Sequence, residues 1–466
     1  MKHLKRITII ALSMLLVYAC SSDDDNGTTM SDPFVVGFEN LSSNLTSFDT
    51  QSTVNLVYSE TTTTTGSFTL NISETNAVYG VDYTTTPAAV NNQITLSIAN
   101  GESTNSFVFN KINPAIDEET IIEFEISNID YSNGTIQGNN IFEFNNSASL
   151  GGSLSPNVGG PNEPNQIYID LSNNKTTQVR RDSWDLGFYG GDDFRVVING
   201  SLYMAAGSTG STDIDAVTEA DVTALQGLVA VGTFNPANVA YVDNPNGDVM
   251  ATAINEVSAT DADNPVYLVN MGSEIGTETP EVGSVAVSGS LRGWKKIRVL
   301  RNGDDYVLQY ADLNDTTHEE VTISKNAAYN FSFFSMVNNN IVDVEPEKER
   351  WDICFSVFTN ILTGAGSYGF SDFIFHNRKG GAESYLVNVA DFSYESFSSS
   401  NLDDNAFLVD QTAIGSNWRD VFSGTHDDTV FFVVKDPNGN IYKIKFLALT
   451  NDNGVRGYPE FEFELL

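Results

Sequence analysis

The residues that could carry out chemistry in this chain are few and lie far apart. Beyond the first 19 residues there are three histidines, His318, His376 and His426, and each is isolated. The chain has no Gly-x-Ser-x-Gly, phosphate-binding loop, His-Glu-x-x-His or Cys-x-x-Cys motif, the patterns typical of many hydrolases, nucleotide-binding proteins and metal or redox sites. Cys354 alternates with apolar neighbours and is predicted to be a small buried residue. An enzymatic function therefore has little support, and no disulfide framework is expected.

Length and composition predict a multidomain chain built mainly of β-strands. At 466 residues the chain is long enough for two or three domains, and 41% hydrophobic and 11% aromatic residues suffice for their cores. Abundant Gly, Asn, Ser and Thr with few helix-forming residues favour strands and turns. The formal net charge of −38 repels phosphate backbones, so nucleic acid is not an expected partner.

The N-terminal segment is predicted to be a targeting signal rather than part of the folded protein. Residues 1–19 combine a basic start with an apolar stretch that is too short to span a bilayer. Val17-Tyr18-Ala19-Cys20 resembles a bacterial lipobox, which implies that Cys20 is lipidated. The acidic tether over 20–31 resembles the signal that sends lipoproteins of Bacteroidetes-type bacteria to the cell surface. We therefore expect a lipid anchor in the outer membrane, with the protein facing outwards.

Residues 32–150 are predicted to form a β-sandwich, followed by a Gly- and Pro-rich linker over 151–165. Short alternating stretches such as Thr53–Tyr58 and Ile121–Ile126 are separated by Gly, Asn and Pro turns, as in antiparallel sheets.

The order of motifs in this sandwich resembles a Calx-beta domain. The motifs are Gly80-Val81-Asp82-Tyr83, Asn100-Gly101-Glu102-Ser103 and Glu123-Phe124. Some acidic loops of that family bind Ca²⁺, and the acids at matching places are Asp82, Asp117, Glu118 and Glu119. The alternative to a Ca²⁺ site is a spacer that lifts the later domains off the membrane.

Two Trp-Asp strands organise the rest of the chain. Trp184-Asp185-Leu186-Gly187-Phe188 and Trp351-Asp352-Ile353-Cys354-Phe355 open alike, which predicts two tandem antiparallel β modules over 166–338 and 339–466. Asn330–Phe334 is then expected to be the aromatic terminal strand of the first module. One larger continuous β domain is the alternative. Few short helices are expected, and the best candidate is Asp213–Leu228 with Asp221 as N-cap.

The order of motifs in this region resembles the HmuY family of surface haemophore lipoproteins. The matching stretches are a strand ending at Asp170, Trp184-Asp185, Arg195 to Asn199-Gly200, Ile441–Phe446 and Gly457–Leu465. The resemblance implies a non-enzymatic lipoprotein that takes haem from the environment or from a haem-carrying host protein. It would pass the haem to a TonB-dependent outer-membrane transporter. A surface binding or adhesion lipoprotein on the same β scaffold, without haem, is the alternative.

The same resemblance implies where haem would be held. Family members hold haem between two loops with two axial ligands that are His or Met, residue types that suit porphyrin iron. Met204, just after Asn199-Gly200, takes the first place and Met250 the second. Lower-ranked candidates are Met271, His376 and His426. The alternative for each is an ordinary core, strand-end or loop residue.

Overall fold

The computed structural model describes residues 33–114 and 119–466, which fold almost entirely into β-strands. This confirms the predicted all-β class. The predicted signal peptide, Cys20 and the acidic tether lie outside the described residues, as do Asp117 and Glu118. The chain divides into two compact units, one with residues up to 153, 172–174 and 463–465, and one with 154–171, 175–462 and 466. Among the described residues, no helix is long and apolar enough to cross a membrane.

The N-terminal unit consists of two sheets around an aromatic core. Its described strands are β1 (Val36–Phe38), β2 (Ser42–Asn44), β3 (Gln51–Tyr58), β4 (Gly66–Thr75), β5 (Tyr83–Thr86), β6 (Gln93–Ile98), β7 (Thr104–Lys111), β8 (Ile121–Asp130) and β9 (Ile141–Asn145). One sheet has the order β1–β3–β7–β5 and the other β2–β9–β8–β4–β6. Leu56 of β3 and Phe68 of β4 belong to one buried cluster, so the two sheets form the predicted sandwich.

The rest of the chain continues with shorter and longer strands. They are β10 (Gly151–Leu154), β11 (Asn165–Asp170), β12 (Lys175–Arg180), β13 (Leu186–Tyr189), β14 (Val196–Ile198), β15 (Ala205–Ser208), β16 (Tyr267–Asn270), β17 (Ser273–Ile275), β18 (Ser288–Leu291), β19 (Trp294–Asn302), β20 (Asp305–Asp312), β21 (Glu319–Ile323), β22 (Phe331–Ser335), β23 (Asn340–Val342), β24 (Ile353–Leu362), β25 (Gly366–His376), β26 (Glu383–Asn388), β27 (Arg419–Asp420), β28 (Thr425–His426), β29 (Val430–Lys435), β30 (Ile441–Thr450) and β31 (Arg456–Leu465).

These strands form two kinds of sheet, and each kind occurs twice. Two four-stranded sheets have the orders β12–β11–β24–β25 and β23–β22–β13–β14. Two five-stranded sheets have the orders β15–β16–β19–β20–β21 and β26–β29–β30–β31–β10. The pairs β17–β18 and β27–β28 complete the set in the described chain. The segment predicted to be a linker therefore contains a sheet strand, β10, at its start.

The two Trp-Asp strands exchange neighbours. Four strands recur at the start of each half, β11 to β14 and β22 to β25, so in the structure the second half begins at β22, inside the predicted first module. Strand β13 follows Trp184 and pairs with β22 of the second half, with Leu186 opposite Phe334. Strand β24 follows Trp351 and pairs with β11 from the first half, with Ile353 opposite Ile169. One compact unit thus holds both predicted modules, and each half completes a sheet of the other. The stretch 330–334, expected to be the aromatic terminal strand of the first module, does form a strand, β22, and it pairs with β13 of that predicted module.

Helical structure is sparse. The helix α1 (Glu219–Gln226) lies within the predicted 213–228 and is shorter because irregular turns flank it. Thr218, rather than Asp221, is its N-cap, and Asp221 accepts hydrogen bonds from the Thr218 N–H and hydroxyl in a capping box. Short 3-10 helices span Gly160–Asn162, Gly200–Leu202, Pro236–Tyr241, Asp261–Asp263, Arg378–Gly380 and Ser399–Asn401.

A candidate binding cavity lined by two asparagine turns

Each Trp-Asp strand runs into a second strand that ends in an asparagine. Strand β14 returns beside β13, with Ile198 opposite Leu186, and Asn199 follows it. Strand β25 returns beside β24, with His376 opposite Ile353, and Asn377 follows it. Each asparagine is the N-cap of a 3-10 turn. The repeated sequence pattern therefore produces the same local structure twice.

The first asparagine side chain ties three segments together. The Nδ2 of Asn199 donates to the carbonyl oxygens of Arg181 at 2.7 Å and Trp184 at 2.8 Å. Its Oδ1 accepts from the N–H of Ser201 at 3.0 Å. Because Asn199 is fully buried, these bonds replace water for every polar atom of the amide and fix the turn.

The second asparagine makes the same set of bonds. The Nδ2 of Asn377 donates to the carbonyl oxygens of Lys348 at 2.7 Å and Trp351 at 2.9 Å. Its Oδ1 accepts from the N–H of Gly380 at 2.9 Å. The match places Ala382 where the first turn has Met204, since the N–H of each donates to the carbonyl of its own asparagine.

Each aspartate of the Trp-Asp pairs accepts a hydrogen bond from the backbone just after the strand that pairs with its own half. Asp185 accepts from the N–H of Met336 at 2.7 Å, and Asp352 accepts from the N–H of Leu171 at 2.6 Å. Asp185 also makes a buried ion pair with Arg292, at 2.6 Å. Asp352 has no basic side chain within salt-bridge distance among the described residues. Its pKa is raised well above the usual value by burial first and then by the nearby carboxylates of Asp170 and Asp436.

Both asparagine turns line one cavity of about 150 Å³. We call it the inter-repeat cavity. It lies within the second compact unit, and strands of both halves contribute its wall. Its aromatic lining consists of Tyr168, Trp184, Phe331, Phe333, Trp351, Phe358 and Phe375. Residues from the segment 242–252 close another side. A small cavity with aromatic walls and a few polar groups is the general form of a small-molecule site.

Ionisable side chains also line the inter-repeat cavity, and three of them influence one another. Burial raises the pKa of Asp243 to about 6 and that of Glu345 to about 7. Burial also lowers the pKa of Lys379 to about 8, against the opposing effect of the Glu345 and Asp243 charges. All three groups therefore change charge within about one pH unit of neutrality, as is common at binding sites.

The two tryptophans that line the cavity differ in how their indole N–H groups are paired. The Nε1 of Trp184 donates to Oε1 of Gln166 at 2.9 Å. Phe331 takes the place on strand β22 that Gln166 takes on strand β11. The side chain of Phe331 offers no hydrogen-bond acceptor. The Nε1 of Trp351 has no hydrogen-bond partner among the described residues, although only 4% of this side chain is exposed.

The structure separates the ligand candidates that the sequence suggested. Met204 is fully buried, lines the inter-repeat cavity and shares a core cluster with Met271. Met250 is 49% exposed, and its neighbours Asp248 and Val249 line the cavity while Met250 itself does not. The thioethers of Met204 and Met250 therefore lie on the inner and outer sides of the same region.

The two histidine candidates also lie in different surroundings. His376 is buried and lines the inter-repeat cavity together with Met204. Its Nδ1 lies 2.9 Å from Oγ of Ser384, and burial lowers its pKa to about 4, so the ring is neutral at pH 7. His426 is partly exposed in β28, opposite Arg419, and is not among the residues that line the cavity.

Sequence reasoning singled out neither Asp243 nor Glu345. With 61 acidic residues in the chain, a single carboxylate carries no signal of its own. Alternation gives no hint either, because the consecutive residues Val344 and Glu345 are both buried. In the described chain, no cluster of three His, Cys, Asp or Glu residues could hold a metal ion. The Ca²⁺ site suggested for the N-terminal sandwich stays a prediction.

Comparisons with known proteins give one strong match. A family model described as HmuY protein matches residues 162–463, which is more than half of the chain. No curated protein matches the chain.

Two solved structures resemble part of the chain. The apo-form Calx CBD1 domain is 14% identical with a TM-score of 0.20, covering 24% of this chain and 97% of that one. CBD12 from CALX1.2 is 12% identical with a TM-score of 0.20, covering 37% of this chain and 61% of that one. Both are named for the domain class that the motifs between Gly80 and Phe124 resemble, but scores this low carry no further argument.

Proposed function

This chain belongs to the HmuY family, and from that membership we propose that it is a non-enzymatic haem-binding lipoprotein of the bacterial cell surface. It would capture haem outside the cell, from the environment or a haem-carrying host protein, and pass it to a TonB-dependent outer-membrane transporter. Cys20 would carry the lipid that anchors the chain in the outer membrane.

One observation in the fold supports the proposal. Met204 and the segment on either side of Met250 line the same cavity, although they are well separated in the sequence. Asp243, at the start of the loop, accepts from the N–H of Ile198 at 2.8 Å and from the N–H of Ala253 at 2.9 Å. A single carboxylate thus closes the loop and fastens it to the strand that precedes the Met204 turn. This connection supports the two-loop site that the family resemblance implies.

The size of the inter-repeat cavity sets a condition on this proposal. Its volume of about 150 Å³ is well below the roughly 300–1,000 Å³ of pockets for larger organic ligands. Met204 is also fully buried. Haem binding through Met204 therefore requires residues 244–252 to move outwards, which would open the cavity and expose the thioether. Met250, already on the outer side, would supply the second ligand.

Two thioether ligands from these loops would make the site asymmetric between the halves. Ala382 takes the place of Met204 in the second turn, and alanine cannot bind iron. We therefore propose that one haem binds per chain, at the first turn.

A haem titration tests this proposal. Purified protein is titrated with haemin while the Soret band is recorded. We expect a saturable band shift at one haem per chain. Met204→Leu and Met250→Leu remove the sulfur while keeping most of the side-chain volume, and each should weaken haem binding at least tenfold. Met336→Leu is the matched control, since Met336 is a buried methionine of the same core cluster outside both loops.

Two results would count against haem binding. One is an unchanged Soret band at micromolar haem with folded protein, as judged by circular dichroism. The other is an equal effect of Met204→Leu and Met336→Leu. Either result would favour a surface binding protein that keeps the family scaffold without haem.

A further inference from the structure

The inter-repeat cavity contains hydrogen-bond donors that are not satisfied. The indole N–H of Trp351 has no acceptor in the described part of the chain, although Trp351 is 4% exposed. A buried polar group without a partner costs free energy, so such a group in a cavity indicates a ligand atom that can accept the bond. The equivalent N–H of Trp184 shows that the fold can satisfy this position, because Gln166 accepts it at 2.9 Å.

Lys379 adds a second, charged donor to the same cavity. Its ammonium group donates to Oε1 of Gln411 at 3.3 Å and lies 5.5 Å from the centre of the Phe331 ring. No carboxylate of the described residues lies within 4.0 Å of this nitrogen, so further N–H groups of Lys379 are open to a ligand. Two residues after Asn199, where the second turn has Lys379 after Asn377, the first turn has Ser201, so this cation occurs on one side of the cavity only.

The acceptors around the cavity are largely taken by the protein itself. One oxygen of Glu345 accepts from the N–H of Phe331 at 2.9 Å. Both oxygens of Asp243 accept backbone N–H groups, from Ile198 and Ala253. The open donors are the Lys379 ammonium and the Trp351 indole N–H, and both call for a ligand that carries acceptors. Burial favours the neutral form of both acids, which reduces their repulsion of an anion.

The aromatic lining and the volume of the cavity limit the shape and size of the non-polar part of the ligand. Rings of Trp184, Phe331, Phe333 and Phe375 line the space, and its volume is about 150 Å³. Aromatic walls favour a flat, apolar body that can stack or make edge contacts. The volume suits a molecule with a single small ring and excludes a porphyrin in this closed form.

We propose that the inter-repeat cavity binds a small aromatic carboxylate, whose oxygens accept hydrogen bonds from the Lys379 ammonium and the Trp351 indole N–H. The ring of the ligand packs among the aromatic side chains of the two halves. This site does not depend on haem binding, because it uses neither Met204 nor Met250 as a ligand. It uses the positions at which the two repeats differ.

Isothermal titration calorimetry with three probes of nearly equal size tests the site. Benzoate carries the proposed anion, benzamide is neutral and benzylamine is cationic. At pH 7 we expect benzoate to bind at least tenfold more tightly than benzamide or benzylamine, since a hydrogen bond to a charged group is stronger than a neutral one. No saturable benzoate binding up to millimolar concentration would overturn the proposal, as would equal affinities for all three probes.

Two variants locate the binding within the cavity. Trp351→Phe keeps the aromatic wall and removes only the N–H, and we expect benzoate affinity to fall roughly fivefold. Lys379→Met keeps the length of the side chain and removes the charge, and benzoate should then bind no better than benzamide. Trp294→Phe and Lys445→Met, outside the cavity, are the matched controls for folding and should leave the affinity unchanged.

If benzoate binds but neither cavity variant weakens it, the proposed site is wrong. Haem titration of the same proteins separates the two proposals. Trp351→Phe should weaken benzoate binding without removing the Soret shift, whereas Met204→Leu should act mainly on haem.

Discussion

The two Trp-Asp halves share a framework and differ in the side chains that it presents. Asn199 and Asn377 make matching bonds to the carbonyls three residues before and at each tryptophan. The differences lie around them. Arg292 neutralises Asp185, whereas acidic neighbours surround Asp352. Gln166 pairs with Trp184, whereas Trp351 lacks a partner in the described chain. The repeated asparagine bonds therefore hold both turns in place, while the residues that differ between the halves set the charge and the hydrogen bonding around them.

The largest expected contrast is between the two aspartates. Asp185→Asn leaves Arg292 with only the exposed carboxylate of Glu274, 4.0 Å away, and breaking a buried ion pair costs about 3–5 kcal/mol of unfolding free energy. Asp352→Asn removes a carboxyl whose ionisation burial and Asp170 already oppose, so we expect no loss of stability at pH 7. Guanidinium unfolding of both variants measures the contrast.

The pH dependence sharpens this contrast. Because the folded-state pKa of Asp352 is raised, the folded protein keeps a proton that the unfolded chain releases above about pH 4, so Asp352→Asn should gain relative stability as pH rises above that value. Equal losses for the two variants at every pH would show that Arg292 does not distinguish the halves.

We expect an effect of intermediate size on unfolding free energy for Glu345, which follows strand β23. Burial raises its pKa to about 7, so the folded state keeps a proton that the unfolded state releases above about pH 4.5. The contribution of Glu345 to stability therefore falls as pH rises through this window. Glu345→Gln retains an oxygen for the N–H of Phe331 and should be about 1–3 kcal/mol more stable than the natural protein at pH 8.

The natural protein and Glu345→Gln should have nearly equal stability near pH 4.5, where Glu345 is protonated in the folded state. Urea unfolding across pH 4.5–8 measures the difference. A constant gap over the whole range would mean that the substitution acts through packing rather than through ionisation. Glu347→Gln, at an exposed position two residues away, is the control and should show no such trend.

The smallest expected contrast is between the two tryptophans. Trp184→Phe removes a buried hydrogen bond and leaves Gln166 without its donor, whereas Trp351→Phe removes an N–H that has no acceptor among the described residues. Both variants lose similar aromatic area. We therefore expect Trp184→Phe to cost about 1 kcal/mol more than Trp351→Phe in denaturant unfolding. A larger cost at Trp351 would mean that its N–H is satisfied in solution.

Much of the secondary structure could be predicted from the sequence. Alternation identified strands such as Ile121–Ile126, which lies in β8, and the stretches after both Trp-Asp pairs form strands, as expected. The pairing of strands could not be predicted. Ile169 and Ile353 are paired in neighbouring strands although they are far apart in the sequence. Alternation shows which face of a strand is buried but not which strand lies beside it.

The candidate site was only partly predictable for the same reason. Met204 was singled out, and it lines the cavity. Asp243 and Glu345 were not, because their shifted pKa values depend on burial, which comes from segments distant in sequence. The unpaired N–H of Trp351 was equally hidden, since it depends on the exchange that brings Phe331 beside the opposite half.

The sequence by itself determined the all-β class, the two Trp-Asp turns and membership of the family, since these depend on local alternation, turn residues and motif order. Tertiary structure alone decided that the halves exchange strands and enclose a common cavity. The physical reason is that hydrogen-bonded strand partners and shifted pKa values arise from contacts between distant segments, and no local pattern encodes which segments meet.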